Sequence, residues 1–174
     1  MNISVFEVTV PQFILSLQAL KQVLSKGKAM ADQKKMTASE LFQSRLAPDQ
    51  FPLGRQMQIT CDVAKFCASR LTGETAPSFE DKEVTYEDFQ TRIDKTIDYL
   101  RQFKAEQFVG YEKRKVTFPW YPNNYLDGHN YLVQHAIPNF YFHLTTAYSI
   151  LRHLGTDLGK ADYLGNQSWK PDSN

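Results

Sequence analysis

Cysteine is scarce in this chain, which has two, Cys61 and Cys67. They stand six positions apart on what reads as one helix, so they lie on different sides of it and are poorly placed to bridge. A disulfide framework is excluded, and both are read as reduced thiols, with Cys67 an inert filler on an apolar face. Charge of one sign is also lacking. The chain has 20 Lys and Arg against 19 Asp and Glu, a formal net charge of +1, which removes the electrostatic case for a nucleic-acid or anionic-membrane partner. The local basic run Lys26, Lys28, Lys34 and Lys35 reads as a solvated loop edge. No apolar run approaches the ~20 residues of a membrane span. The opening stretch MNISVFEVTVPQF carries neither the basic start nor the small-residue cleavage site of a secretory leader. The expected location is the cytoplasm, which makes Asn2-Ile3-Ser4 and Asn166-Gln167-Ser168 chance matches to the glycosylation pattern. No internal repeat or low-complexity tract is visible. A nucleophile elbow, a paired-cysteine zinc spacing and a dinucleotide fingerprint are all missing from the sequence. Gly155 to Lys160 is one residue short of a phosphate loop and follows a helix rather than a strand.

What is present is a globular composition: 174 residues, 42% hydrophobic and 22% charged, with aromatics at 13%. That is enough chain to close one core, and residues 1–174 are read as a single domain. Apolar periodicity predicts four long helices. The first is expected from Pro11 to about Met30, with Phe13, Leu17, Leu20 and Leu24 at helical spacing. A short helix follows around Ala38–Gln43. The second long helix is expected from Pro52 to Leu71 on a stripe of Ile59, Val63, Phe66 and Cys67. The third begins at Thr85-x-x-Asp88, a capping box with a short carboxylate at its third position, and its core face is Phe89, Ile93, Ile97, Leu100 and Phe103. The fourth is expected from Pro138 to just before Gly155, with Arg152 and His153 complementing the dipole of its last turn. Between helices three and four the period changes. Lys115–Phe118 and Tyr131–Val133 read as short extended pieces around a Pro/Asn/Gly-rich turn, a small hairpin excursion. The fold class is therefore all-α, a four-helix bundle with a short extended excursion.

Three polar residues project onto core faces: Gln56 on the second helix, and Asn139 and His143 one turn apart on the fourth. Asp62 lies at the edge of the second helix's stripe. Burying an amide or imidazole costs about 1–3 kcal/mol unless it is hydrogen-bonded, so these residues need either a ligand or an internal network. Two have plain competitors: a helix-start role for Asn139, directly after Pro138, and a surface carboxylate role for Asp62. With the helix starting at Pro138, His135 falls outside it, and His129 lies in the excursion. The aromatic group Phe118, Trp120, Tyr121, Tyr125 and Tyr131 can cap the bundle, line a pocket or form a subunit contact.

The segments Arg45–Leu53, Gln56–Leu71, Pro138–His153 and Leu158–Gly165 resemble a domain-of-unknown-function branch of the DinB/YfiT-like metalloenzyme superfamily, over essentially the whole chain. The resemblance implies a four-helix bundle of up-and-down-related topology and, often, a homodimer. It also implies a site. Better-known relatives hold a divalent metal with a histidine on the second helix and an H-x-x-x-H pair on the fourth, and some are low-molecular-weight-thiol-dependent transferases or isomerases. Here the pair reads Asn139-x-x-x-His143, and residues 52–71 contain no histidine, so Gln56 or Asp62 would have to substitute. Carboxamides are poor ligands for zinc or nickel, so no metal ligands are assigned and no cofactor is expected. The leading expectation is a small-molecule pocket between helices two and four lined by Gln56, Asp62, Asn139 and His143. A non-catalytic dimeric bundle with a degenerate metal site and a divalent-metal-dependent, thiol-linked transferase are the alternatives.

Overall fold

The structure is a computed structural model and describes residues 3–172. Its first helix, α1, spans Val5–Gln33, starting six residues before the expected Pro11. The cause is a capping box: Ser4 Oγ accepts the Glu7 N–H at 3.2 Å, and Glu7 Oε2 accepts the Ser4 N–H at 2.8 Å, so two of the orphan amides of the first turn are satisfied. Pro11, which lacks an N–H, is carried inside the second turn.

The short helix α2 runs over Ala38–Gln43, as expected. The next, α3, spans Leu53–Thr72 and closes on Gly73 in the left-handed region, at φ 82°. It is buried over most of its circumference, including Leu53, Met57, Cys61, Ala64, Cys67 and Leu71, and the expected stripe was partly misplaced: Val63 and Cys67 are buried, but Ile59 and Phe66 lie with Arg55, Asp62 and Arg70 on the half-buried face. Helix α4, Tyr86–Leu100, starts on the predicted box: Thr85 Oγ1 accepts the Asp88 N–H at 3.1 Å and Asp88 Oδ2 accepts the Thr85 N–H at 2.9 Å. Strands β1, Lys115–Thr117, and β2, Tyr125–Asp127, form an antiparallel hairpin in which Val116 faces Leu126.

The last long helix departs from expectation. It starts at Gly128, not Pro138: α5, Gly128–Asn130, leads through π turns over Tyr131–Ala136 into α6, Ile137–His153. Tyr131–Val133 is therefore helical and not extended, and β2 takes the place of the second extended piece. Two local forces explain the shift. Asp127 caps the helix, its Oδ1 accepting the Asn130 N–H at 2.8 Å. Pro138 has no N–H to give Gln134, and its ring crowds that carbonyl. Widening to π turns, where the Ile137 N–H bonds to Leu132 O, lets the helix continue past the proline. Gly128 is sterically required, because a Cβ there would sit 1.8 Å from the Tyr111 carbonyl oxygen. Helix α7, Lys160–Leu164, packs on α1.

In cross-section, α3 lies between α6 and α4, and α1 packs against the same two helices. The core between them is aliphatic and aromatic, with Phe13 against Phe140 and Phe42 stacked on Phe89, each pair with ring centroids 4.2 Å apart. Among the described residues no helix is long and apolar enough to cross a membrane.

Candidate functional site

The tight packing of α3 on α6 brings two of the predicted residues together. Gln56 sits in the first turn of α3 and His143 in the second turn of α6, and both are buried. His143 Nδ1 lies 2.7 Å from Gln56 Oε1, while Gln56 Nε2 donates to the backbone carbonyl of Phe51 at 3.0 Å. A carbonyl oxygen only accepts, so the Gln56 amide must turn its NH₂ toward Phe51 and its oxygen toward His143. The proton of the neutral imidazole is then on Nδ1, and Nε2 keeps a free lone pair. Burial, and after it the charge of Arg55, lowers the pKa of His143 from its ordinary 6.5 to about 4. The ring is neutral at pH 7. One exposed aromatic side chain stands beside the pair: Phe142, edge-on to the His143 ring at 5.1 Å and 57% exposed.

Asn139 lies one turn before His143 and is half-buried. Because the helix begins at Gly128, Asn139 is an interior helical residue, and the helix-start role does not apply. Asp62 is elsewhere. Its Oδ1 lies 3.0 Å from both Lys65 Nζ and Arg92 Nη2, on the side of α3 that faces α4. Arg92, 2% exposed, also donates to Glu83 Oε1 at 2.8 Å and lies 3.0 Å from Asp81 Oδ1. The buried Lys65 ammonium stands 4.2 Å from the Phe79 ring centroid. This network ties the segment before α4 to both helices. Neither cation had been singled out, since Lys and Arg are almost never fully buried unless paired, and the partners come from a distant loop.

The buried cysteines belong to no site. Desolvation pushes both thiols up to about 12, which leaves them protonated and unreactive.

The family model described as "Domain of unknown function (DUF1993)" matches residues 5–164. A crystal structure of a DinB family member protein from Shewanella denitrificans is similar over 96% of this chain and 95% of that one, at 43% identity and a TM-score of 0.91. The chain belongs to the DUF1993 family, a branch of the DinB-like superfamily. No curated protein matches it significantly.

Within this DUF1993 chain, the positions where the resemblance implies a metal hold Gln56, Asn139 and His143. The three do not fit a tightly held divalent transition ion. One imidazole and two carboxamides make a weak donor set, and Gln56 Oε1 is already the acceptor for His143. Among the described residues no group of three or more His, Cys, Asp or Glu is placed to hold a metal ion. One further feature escaped the sequence reading. The π turns bring His135 against the hairpin, with its ring 4.7 Å from Phe118 and 5.7 Å from Tyr131. A proline beside an apolar run was the available signal, and it was read as a helix start.

Proposed function

We propose that this protein binds a small molecule at the contact of α3 and α6, through the Nε2 lone pair of His143, and that it does so without a resident metal. The tautomer carries the reading: Gln56 consumes the proton-bearing side of the ring and leaves one directed acceptor. Phe142 supplies apolar surface beside the ring, and the Asn139 amide lies one turn away. The role is recognition more than proton abstraction. A general base works best with a pKa near the working pH, and His143 at about 4 is far below it. A hydrogen-bond donor on the ligand, such as a hydroxyl, amide or amine, suits this site.

A second reading is a non-catalytic bundle in which the pair is an internal lock. The mutual satisfaction of Gln56 and His143 favours it. The homodimer that the resemblance implies is compatible with either reading, and sedimentation measures it directly.

The test has two arms, both on protein purified without an affinity tag. In the first, metal content is measured and melting temperature is followed with zinc, nickel, manganese and magnesium. We expect no stoichiometric metal and no ion-specific shift. A stoichiometric metal lost on His143→Ala overturns the proposal. In the second, a library of small alcohols, amides and amines is screened by ligand-observed NMR. Binders lost on His143→Ala support the proposal, and an absence of such binders leaves the internal lock as the function of the pair.

A further inference from the structure

The far end of the α5–α6 helix carries a second candidate site, independent of His143. The aromatic group read from the sequence divides there. Phe118 and Tyr131 are buried and cap the bundle, but Trp120, Tyr121 and Tyr125 are 64%, 63% and 55% exposed. These three do not simply lie on the surface. With Phe118 and Leu126 they wall a cavity of about 340 Å³, whose polar groups are Asn124 and His135. That volume is at the small end of the range for ligand sites, roughly 300–1,000 Å³.

The polar groups have defined roles. Asn124 donates its Nδ2 to the Pro122 carbonyl at 3.1 Å, which leaves Oδ1 as an acceptor. Among the described residues neither ring nitrogen of His135 has a protein hydrogen-bond partner. Its pKa is lowered, first by burial and then by the nearby Arg70 charge, so the imidazole is neutral and offers an acceptor. The helix reaches this place only through π turns, a local widening that recurs at functional sites.

Charge decides which aromatic ligand fits. The cavity resembles a cage for a cation, but two cations already occupy its rings. Arg70 lies 4.9 Å from the Phe118 centroid and Lys115 lies 4.7 Å from that of Tyr125. A third cation would be repelled by both. A flat, uncharged ring can stack on the remaining faces, and a hydroxyl on it can donate to His135 or Asn124.

We propose that this cavity binds a neutral planar aromatic molecule carrying a hydroxyl donor, the phenol class. It is tested on the full-length protein with three probes: p-cresol, cyclohexanol and benzyltrimethylammonium. The readout is the indole N–H resonance of Trp120. We expect p-cresol to shift it saturably and the other two to leave it unmoved. His135→Phe keeps a stacking ring and removes the acceptor, so it should weaken p-cresol about fivefold to tenfold, the loss of one hydrogen bond. His143→Ala should have no effect, which separates this site from the one proposed above. If His135→Phe does not fold, Trp120→Ala, altered at an exposed wall, takes its place with saturation transfer from p-cresol as the readout, and a loss of transfer is expected. The proposal is overturned by an unsaturable p-cresol response, by equal binding of the cationic probe, by undiminished binding in the wall variants, or by a dependence on His143. It is also overturned if the Trp120 resonance shifts with protein concentration alone, which would make this face a contact between copies of the chain.

Discussion

His143 donates its Nδ1–H to Gln56 Oε1 across 2.7 Å, and the direction of that bond is set by a third group, the Phe51 carbonyl. A backbone acceptor thus fixes an amide, and the amide fixes a tautomer. The same arrangement orients metal-ligating histidines in other proteins. Here the remaining donors are carboxamides, so the oriented lone pair has no second strong metal donor beside it.

The first prediction concerns pH. The folded pKa of His143 is about 4 against an ordinary 6.5. Between those values the unfolded chain binds a proton that the folded one refuses. Stability is therefore unaffected by this group above pH 6.5 and falls as pH drops toward 4. The slope approaches about 1.4 kcal/mol per pH unit, for a total of about 3 kcal/mol. Denaturation midpoints of the wild type and of His143→Phe, taken at several pH values, isolate the group. The variant should show the shallower decline, and equal slopes would contradict the assignment.

The second prediction concerns Gln56. Replacing it with Leu leaves the buried His143 Nδ1–H unpaired and removes the donor to the part-buried Phe51 carbonyl, at a cost of about 1–3 kcal/mol. Gln56→Glu instead puts a carboxylate against Nδ1–H, which favours the imidazolium. The His143 titration, followed by NMR, should move upward in that variant and not downward.

The third prediction concerns Arg92. Its guanidinium is 2% exposed and meets Asp62, Asp81 and Glu83. Arg92→Met removes the cation and leaves Asp62 to Lys65, Asp81 to Arg55 and Glu83 to the Gln58 amide alone, so a loss of about 3–5 kcal/mol is expected. Urea unfolding measures it. Asp81→Asn, at the more exposed edge of the network, should cost well under half as much.

The helices were legible where local chemistry decides them. The box at Thr85 and Asp88, the Gly73 closure of α3 and the short α2 follow from capping and periodicity within a few residues. The same rules hold at Ser4 and Glu7, yet Pro11 masked that start, because a proline marks a helix start more often than a second turn. Pro138 misled in the same way, hiding the π segment and with it the position of His135. Of the site, the inward projections of Gln56 and His143 could be read from periodicity alone. Asp62 could not be placed, since its environment depends on Arg92 and on the segment before α4.

The sequence by itself determined the bundle, most of its helix faces and the inward projection of Gln56 and of His143, each on its own helix. These rest on period, caps and composition, which act over one or two turns of chain. Only the tertiary structure decided which way the Gln56 amide points, that Asp62 belongs to an ion-pair network, and that His135 faces a cavity of aromatic rings. Each of those depends on groups dozens of residues apart, and their contacts exist only once helices and hairpin have packed.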